Sequence, residues 1–182
     1  LLNNDEDKNK DEDEILNNNF AFIAIENGNL KILEFLLNFY DNYNFNIISD
    51  EDDSKSEYML EHASSYDEFN IVKFLVKKGE NIHSKYNNAL RYSIKNENLQ
   101  IAKFLIDNGA NINDHTTLYK YNSENILDIG IRKMNVRIVE FLFKHGAIIS
   151  EYSLCFAITN NHLEMVKILF KNGANEINNE SK

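Results

Sequence analysis

Asp50, Asp52 and Glu61 occupy the first, third and twelfth positions of an acidic stretch, the spacing at which oxygen ligands surround calcium. The sixth position of such a loop needs glycine for its sharp turn. Here it is Lys55, so a solvated acidic loop ending in the Ser54-x-x-Glu57 helix start suits the residues better. Cys155 and His162, a thiol and a base seven residues apart, are the next pair that chemistry could use. No third group in the sequence orients them, which favours Cys155 as a core residue of a helix and His162 as a turn residue. His62, His83, His115 and His145 are scattered without ligand spacing, and no glycine-rich run cradles phosphate. The residues point away from an enzyme, and no metal or cofactor is expected.

Those side chains sit on a chain that repeats itself. The segment Phe69–Gly79 returns as Leu99–Gly109, Val136–Gly146 and Leu163–Gly173, with a degenerate copy over Leu30–Tyr40. The anchors Phe35, Phe74, Phe104, Phe141 and Ile168 follow one another at steps of 39, 30, 37 and 27 residues. Such self-similarity marks a repeat array. Each copy reads as two helices. The first carries an apolar residue three positions before a small one: Ala21 and Ala24, Leu60 and Ala63, Leu90 and Ser93, Leu127 and Gly130, Leu154 and Ala157. An i, i+3 pair shares one helical face, and the small member lets another helix approach closely. The second carries a wide apolar stripe, as in Ile101, Ala102, Leu105 and Ile106. Gly79, Gly109, Gly146 and Gly173 end it, with Tyr40 in the glycine place of the first copy. The alignment predicts helical pairs near 19–38, 58–77, 88–107, 125–144 and 152–171, without an extended sheet.

A chain of 182 residues that is 43% hydrophobic can bury a core, and its net charge of -10 argues against a general binder of nucleic acid or anionic membranes. The single cysteine excludes an intrachain disulfide and fits a reducing compartment, so an intracellular, cytoplasmic location is expected. No run is apolar and long enough to span a bilayer, and the start has no basic region of a secretory signal. Residues 1–16 read as an acidic tail, disordered or frayed, and asparagine clusters at the cap and turn places of the copies.

The small residue before the turn, the Ile-Val-x-Phe-Leu core at 71–75 and Gly-Ala-Asn-Ile-Asn at 109–113 together resemble the ankyrin repeat family over roughly residues 17–177. The resemblance implies an all-α fold, an α-solenoid of about five ankyrin repeats near 17–48, 56–84, 86–114, 123–150 and 151–177, within a domain over 17–182. The asparagine, isoleucine and lysine bias is similar in style to ankyrin proteins of giant DNA viruses or AT-rich protists, which would make a virus-encoded protein of the host cell. The family's Thr-Pro-Leu-His opening of helix one is missing, standing here as Tyr58-Met59-Leu60-Glu61, Asn88-Ala89-Leu90-Arg91, Asn125-Ile126-Leu127-Asp128 and Tyr152-Ser153-Leu154-Cys155. The hydrogen bonds that its Thr and His make between repeats are therefore not carried over.

What the resemblance implies about function is a non-enzymatic, monomeric protein-binding module. Its partner would lie along a concave strip of finger tips and helix-one ends. Carried over residue by residue, that strip holds Tyr66, Lys85, Tyr86, Asn87, Lys95, Asn96, Tyr119, Tyr121, Arg132 and Lys133. Its mixture of tyrosine with lysine and arginine on an acidic chain suggests an acidic segment as the partner. The alternative is an adaptor or structural segment of a longer multidomain protein, such as a ubiquitin-ligase substrate adaptor.

Overall fold

The computed structural model describes residues 20–42, 57–114 and 125–174. The acidic segment 1–16, the calcium-like run 50–56, and Tyr119 and Tyr121 lie outside them. Among the described residues every regular element is a helix, and the helices come in pairs. They are α1 (20–26) with α2 (Leu30–Asn42), α3 (Glu57–Ser65) with α4 (Phe69–Lys78), and α5 (Ser84–Lys95) with α6 (Leu99–Asp107). The series closes with α7 (Ile126–Arg132) and α8 (Val136–Lys144), then α9 (Glu151–Thr159) and α10 (Leu163–Lys171). This is the α-solenoid class expected from the alignment. One boundary differs: α5 begins at Ser84 instead of near 88, so Lys85, Tyr86 and Asn87 belong to a helical first turn and not to a finger loop. Asn87 takes a left-handed φ of 58° there, a conformation its short side chain tolerates. The chain divides into two compact units, Leu1–Asn81 and Ile82–Lys182.

The turn inside each pair is built the same way five times. Gly28, Asp67, Glu97, Met134 and Asn161 hold left-handed φ values of 63°, 62°, 62°, 54° and 54°. In four of them the next N–H then reaches back to close helix one: Asn29 to the Ala24 carbonyl at 2.8 Å, Glu68 to Ala63 at 3.0 Å, Asn98 to Ser93 at 2.8 Å, His162 to Ala157 at 3.0 Å. This six-to-one closure satisfies carbonyls that a helix end leaves orphaned. Only the first copy uses glycine; Asp67 and Asn161 tolerate this region, whereas Glu97 and Met134 hold the strain of about 1 kcal/mol or more that a longer side chain brings to it. In four of the five pairs helix two is then capped by a side chain that accepts from its first turn, whereas Glu68 before α4 makes no such bond. Asn29 takes the Ile32 N–H at 3.2 Å, Asn98 that of Ile101 at 3.1 Å, and His162 Nδ1 that of Met165 at 3.1 Å. The asparagine bias is thus spent on helix ends.

The small position is where helix two of the same pair crosses. A methyl group added to Gly130 would lie 3.0 Å from Ile138 Cγ2 and 3.1 Å from Leu142 Cδ1, both on α8. Ala63, Ser93 and Ala157, its equivalents, are fully buried. Within the second unit α7 packs between α5 and α9, and α8 against α10.

A polar brace replaces the missing Thr and His bonds in the second unit. Asn87, 1% exposed, donates its amide to Asp114 at 2.6 Å and accepts the Asn111 N–H at 2.9 Å. Arg91, 4% exposed, is pulled below the ordinary arginine pKa by burial, while the Asp114 and Asp128 carboxylates oppose that shift. Asp128 in turn accepts from the Ser150 hydroxyl at 2.9 Å and the Ser153 hydroxyl at 2.7 Å. The amide of Asn113 bridges onward, donating to the Gly146 carbonyl and accepting from the Ile148 N–H, each at 2.9 Å. Three consecutive pairs are laced together on one side by charge and hydrogen bonds.

In the first unit, burial pushes the Glu80 carboxyl up from 4.5 to about 7. Between those values the folded chain holds a proton that the unfolded chain has lost, so this group's contribution makes stability fall as pH rises through the window. Relative to Glu80→Gln, the wild type is expected to lose about 2 kcal/mol between pH 5 and pH 8. Urea unfolding of both proteins at the two pH values reads the difference. Parallel pH profiles would show that Glu80 ionises freely in the fold.

Candidate protein-binding surface

Helix one of each pair ends in an exposed corner. In the second unit these corners are Lys95 with Asn96 after α5, Arg132 with Lys133 after α7, and Thr159 with Asn160 after α9, all solvent-exposed. The first two are neighbours in space, because the Asn135 amide in the turn after α7 donates to Glu97 Oε2 in the turn after α5 at 2.8 Å. Basic side chains at helix C-termini also face the negative end of the helix dipole, which favours them there. The Lys95 ammonium lies 5.0 Å from the centre of the Tyr92 ring, adding an aromatic flank to the row. Its electrostatic character is cationic, moderated by Glu97.

The first unit makes a different corner. His62 Nε2 and Glu26 Oε1 are 3.0 Å apart, bridging two helix pairs. The Phe22 ring meets His62 edge-on at 4.9 Å, and Tyr66 tilts against it at 4.8 Å. Glu26, chiefly through its charge, raises the Tyr66 phenol above its ordinary pKa, and a hydrogen bond to the same carboxylate adds to this. Tyr66 is therefore exposed, as the helix-one-end assignment requires, but it is half of a built polar ladder and not a bare ring. The sequence signal for the ladder was the column Ile23, His62, Tyr92, Ile129 and Phe156, in which His62 is the polar outlier.

Four sequence assignments need correction or restriction. Asn87 is not a surface contact, because both ends of its amide are consumed by Asp114 and Asn111 inside the fold. Lys85 and Tyr86 open α5 while Lys95 closes it, so about 15 Å of helix separates their backbones. Tyr119 and Tyr121 lie outside the described residues. Cys155, expected in the core, is exposed, since it stands on the last helix pair where no described pair packs beyond it. His162 is a helix cap, its Nδ1 facing the Met165 N–H. Among the described residues no group of three His, Cys, Asp or Glu side chains could hold a metal ion.

Repeated helix pairs, each turned at a left-handed residue and all but the first stopped by a glycine, now have a counterpart outside this chain. The family model described as ankyrin repeats (3 copies) matches residues 1–86, 21–116, 60–153 and 90–181, overlapping windows that cover nearly the whole sequence. The chain belongs to the ankyrin repeat family. No curated protein matches it. Ankyrin repeats are generally interaction modules that bind protein partners. Among its described residues no helix is long and apolar enough to cross a membrane.

Proposed function

We propose that this ankyrin repeat protein is a non-enzymatic binding module whose Ile82–Lys182 unit takes an acidic protein segment along the edge of Lys95, Asn96, Arg132 and Lys133. The observation that supports it best is the Asn135–Glu97 bond, which sets two exposed basic corners beside each other. On a chain of net charge -10 such a local basic row selects an acidic partner by complementarity and disfavours a basic one. We place the encounter inside the cell, in the cytoplasm, where a lone exposed thiol such as Cys155 stays reduced.

A glutamate-rich peptide is the probe. Its affinity should fall steeply with salt, because exposed charges are screened within about 10 Å at 0.1 M. Lys95→Glu with Arg132→Glu should weaken it about tenfold or more, chiefly through slower association, while the helical signal stays intact. Lys73→Glu with Lys103→Glu is the control. Lys73 lies over the Phe69 ring and Lys103 pairs with Asp107, both on helix two. Binding that survives the first pair and fails with the second moves the site to the helix-two face.

A further inference from the structure

Each helix pair has two stacking faces, and the repeat positions that form them can be followed along the chain. Met59 in the first unit and Ile126 and Ser153 in the second share one position of helix one and are at most 2% exposed; Phe20, their equivalent, is 45% exposed. Ile71, Ile138 and Met165 share a position of helix two and are at most 1% exposed; Ile32 there is 48% exposed. Between α1 and α2 these residues border a groove of about 460 Å³ that Ile23, Ala24, Asn27 and Leu36 also line. The opposite face shows the converse at the other end of the series. Ile25, Ile94 and Ile131 share a position, each is followed by another pair of its own unit, and each is at most 1% exposed. Ile158 holds that position on the last pair at 58%, with Leu163 and Phe170 bare beside it.

Among the described residues, the first pair thus has no pair against the face that is covered in α3–α4, α7–α8 and α9–α10, and the last pair has none against its other face. A polar outer face would suit a repeat with no neighbour, and neither of these described faces is polar. The two bare faces are also the two halves of a single recurring contact, so each has the shape and apolar character to receive the other. Residues 3–14 bring almost no apolar side chain with which to match such a face. We propose that a second copy of this chain docks there head to tail, with Ile158, Leu163 and Phe170 of one copy against Phe20, Ile23 and Ile32 of the next. This departs from the monomer that the resemblance suggests. A heterologous contact of this kind adds copies without closing unless the rotation forms a ring.

Sedimentation velocity over the micromolar range tests it on the 182-residue chain. The expected result is a mass that rises with concentration past twice the monomer. Ile158→Glu and Ile32→Glu should each be monomeric alone with wild-type helical circular dichroism. Their equimolar mixture should form a dimer and nothing larger, because one intact face of each kind remains. A wild type that stays monomeric overturns the proposal. If deleting residues 1–16 then releases association, the tail is the occupant; if it does not, the faces are covered by neither. Association that persists in both single variants places the contact elsewhere and overturns it equally.

Discussion

Leucine at Ala157 or Ala63 is expected to lower the unfolding free energy by about 1–3 kcal/mol, the usual cost of overpacking a close-packed interior. Both residues are fully buried at the position where helix two crosses helix one. At Gly130, the same position, a single added methyl would already press on Ile138 and Leu142. Three further carbons have nowhere to go. Ala24 belongs to the same column but borders the open groove between α1 and α2, so leucine there can lean outward and should cost less. Thermal unfolding of the three variants ranks them. Equal shifts would mean that crossing geometry does not set the size limit.

Asp128→Ala should cost about 2 kcal/mol, because it removes the charged acceptor of two hydroxyls and a charge that favours the buried Arg91 guanidinium. The Asp128 carboxylate serves three groups: Arg91 opposite, and the Ser150 and Ser153 hydroxyls that bond it directly. Without it a nearly buried guanidinium loses one of the charges that favour its ionised form, and the two hydroxyls of the α9 start lose their acceptor. Asp128→Asn retains an acceptor for the serines and should fall between. Adding Arg91→Met to Asp128→Ala should recover part of the loss, since an apolar pair leaves no buried charge to satisfy. Urea unfolding of the wild type, Asp128→Ala, Arg91→Met and the double variant gives the cycle, with Asp128→Asn measured beside them. A cost for Asp128→Ala no larger than that of an ordinary surface change would show that water already serves Arg91.

The helix pairs were legible because apolar periodicity, small residues and stop glycines all recur in register, and recurrence multiplies a weak local signal. The turn geometry was half legible. Glycine announces a left-handed residue at Gly28, but Met134 and Glu97 adopt the same φ only because both flanking helices fix it. Asn87 and Arg91 were the blind spot. A polar residue inside a helix reads as surface, and nothing in the sequence says that Asp114 and Asp128, 27 and 37 residues away, come to meet them. Cys155 failed for the opposite reason: its column is covered in earlier copies, and the alignment cannot show that the last copy has no cover. The basic corners were legible as positions, whereas their adjacency needed the Asn135–Glu97 bond.

The brace also bears on how such an array can grow or shrink in evolution. Repeat arrays change length when one copy recombines with another, and that is harmless where every joint is alike. Here the column Glu61, Arg91, Asp128 and Cys155 differs in each copy, and Arg91 sits beside Asp128 as a charged couple. Excising the pair α7–α8 would bring Cys155 to the place of Asp128 and leave a buried guanidinium facing a thiol. Duplicating the pair α5–α6 would set arginine against arginine. The order of copies in this unit is therefore written in charge, and selection would remove both kinds of recombinant before any partner was lost.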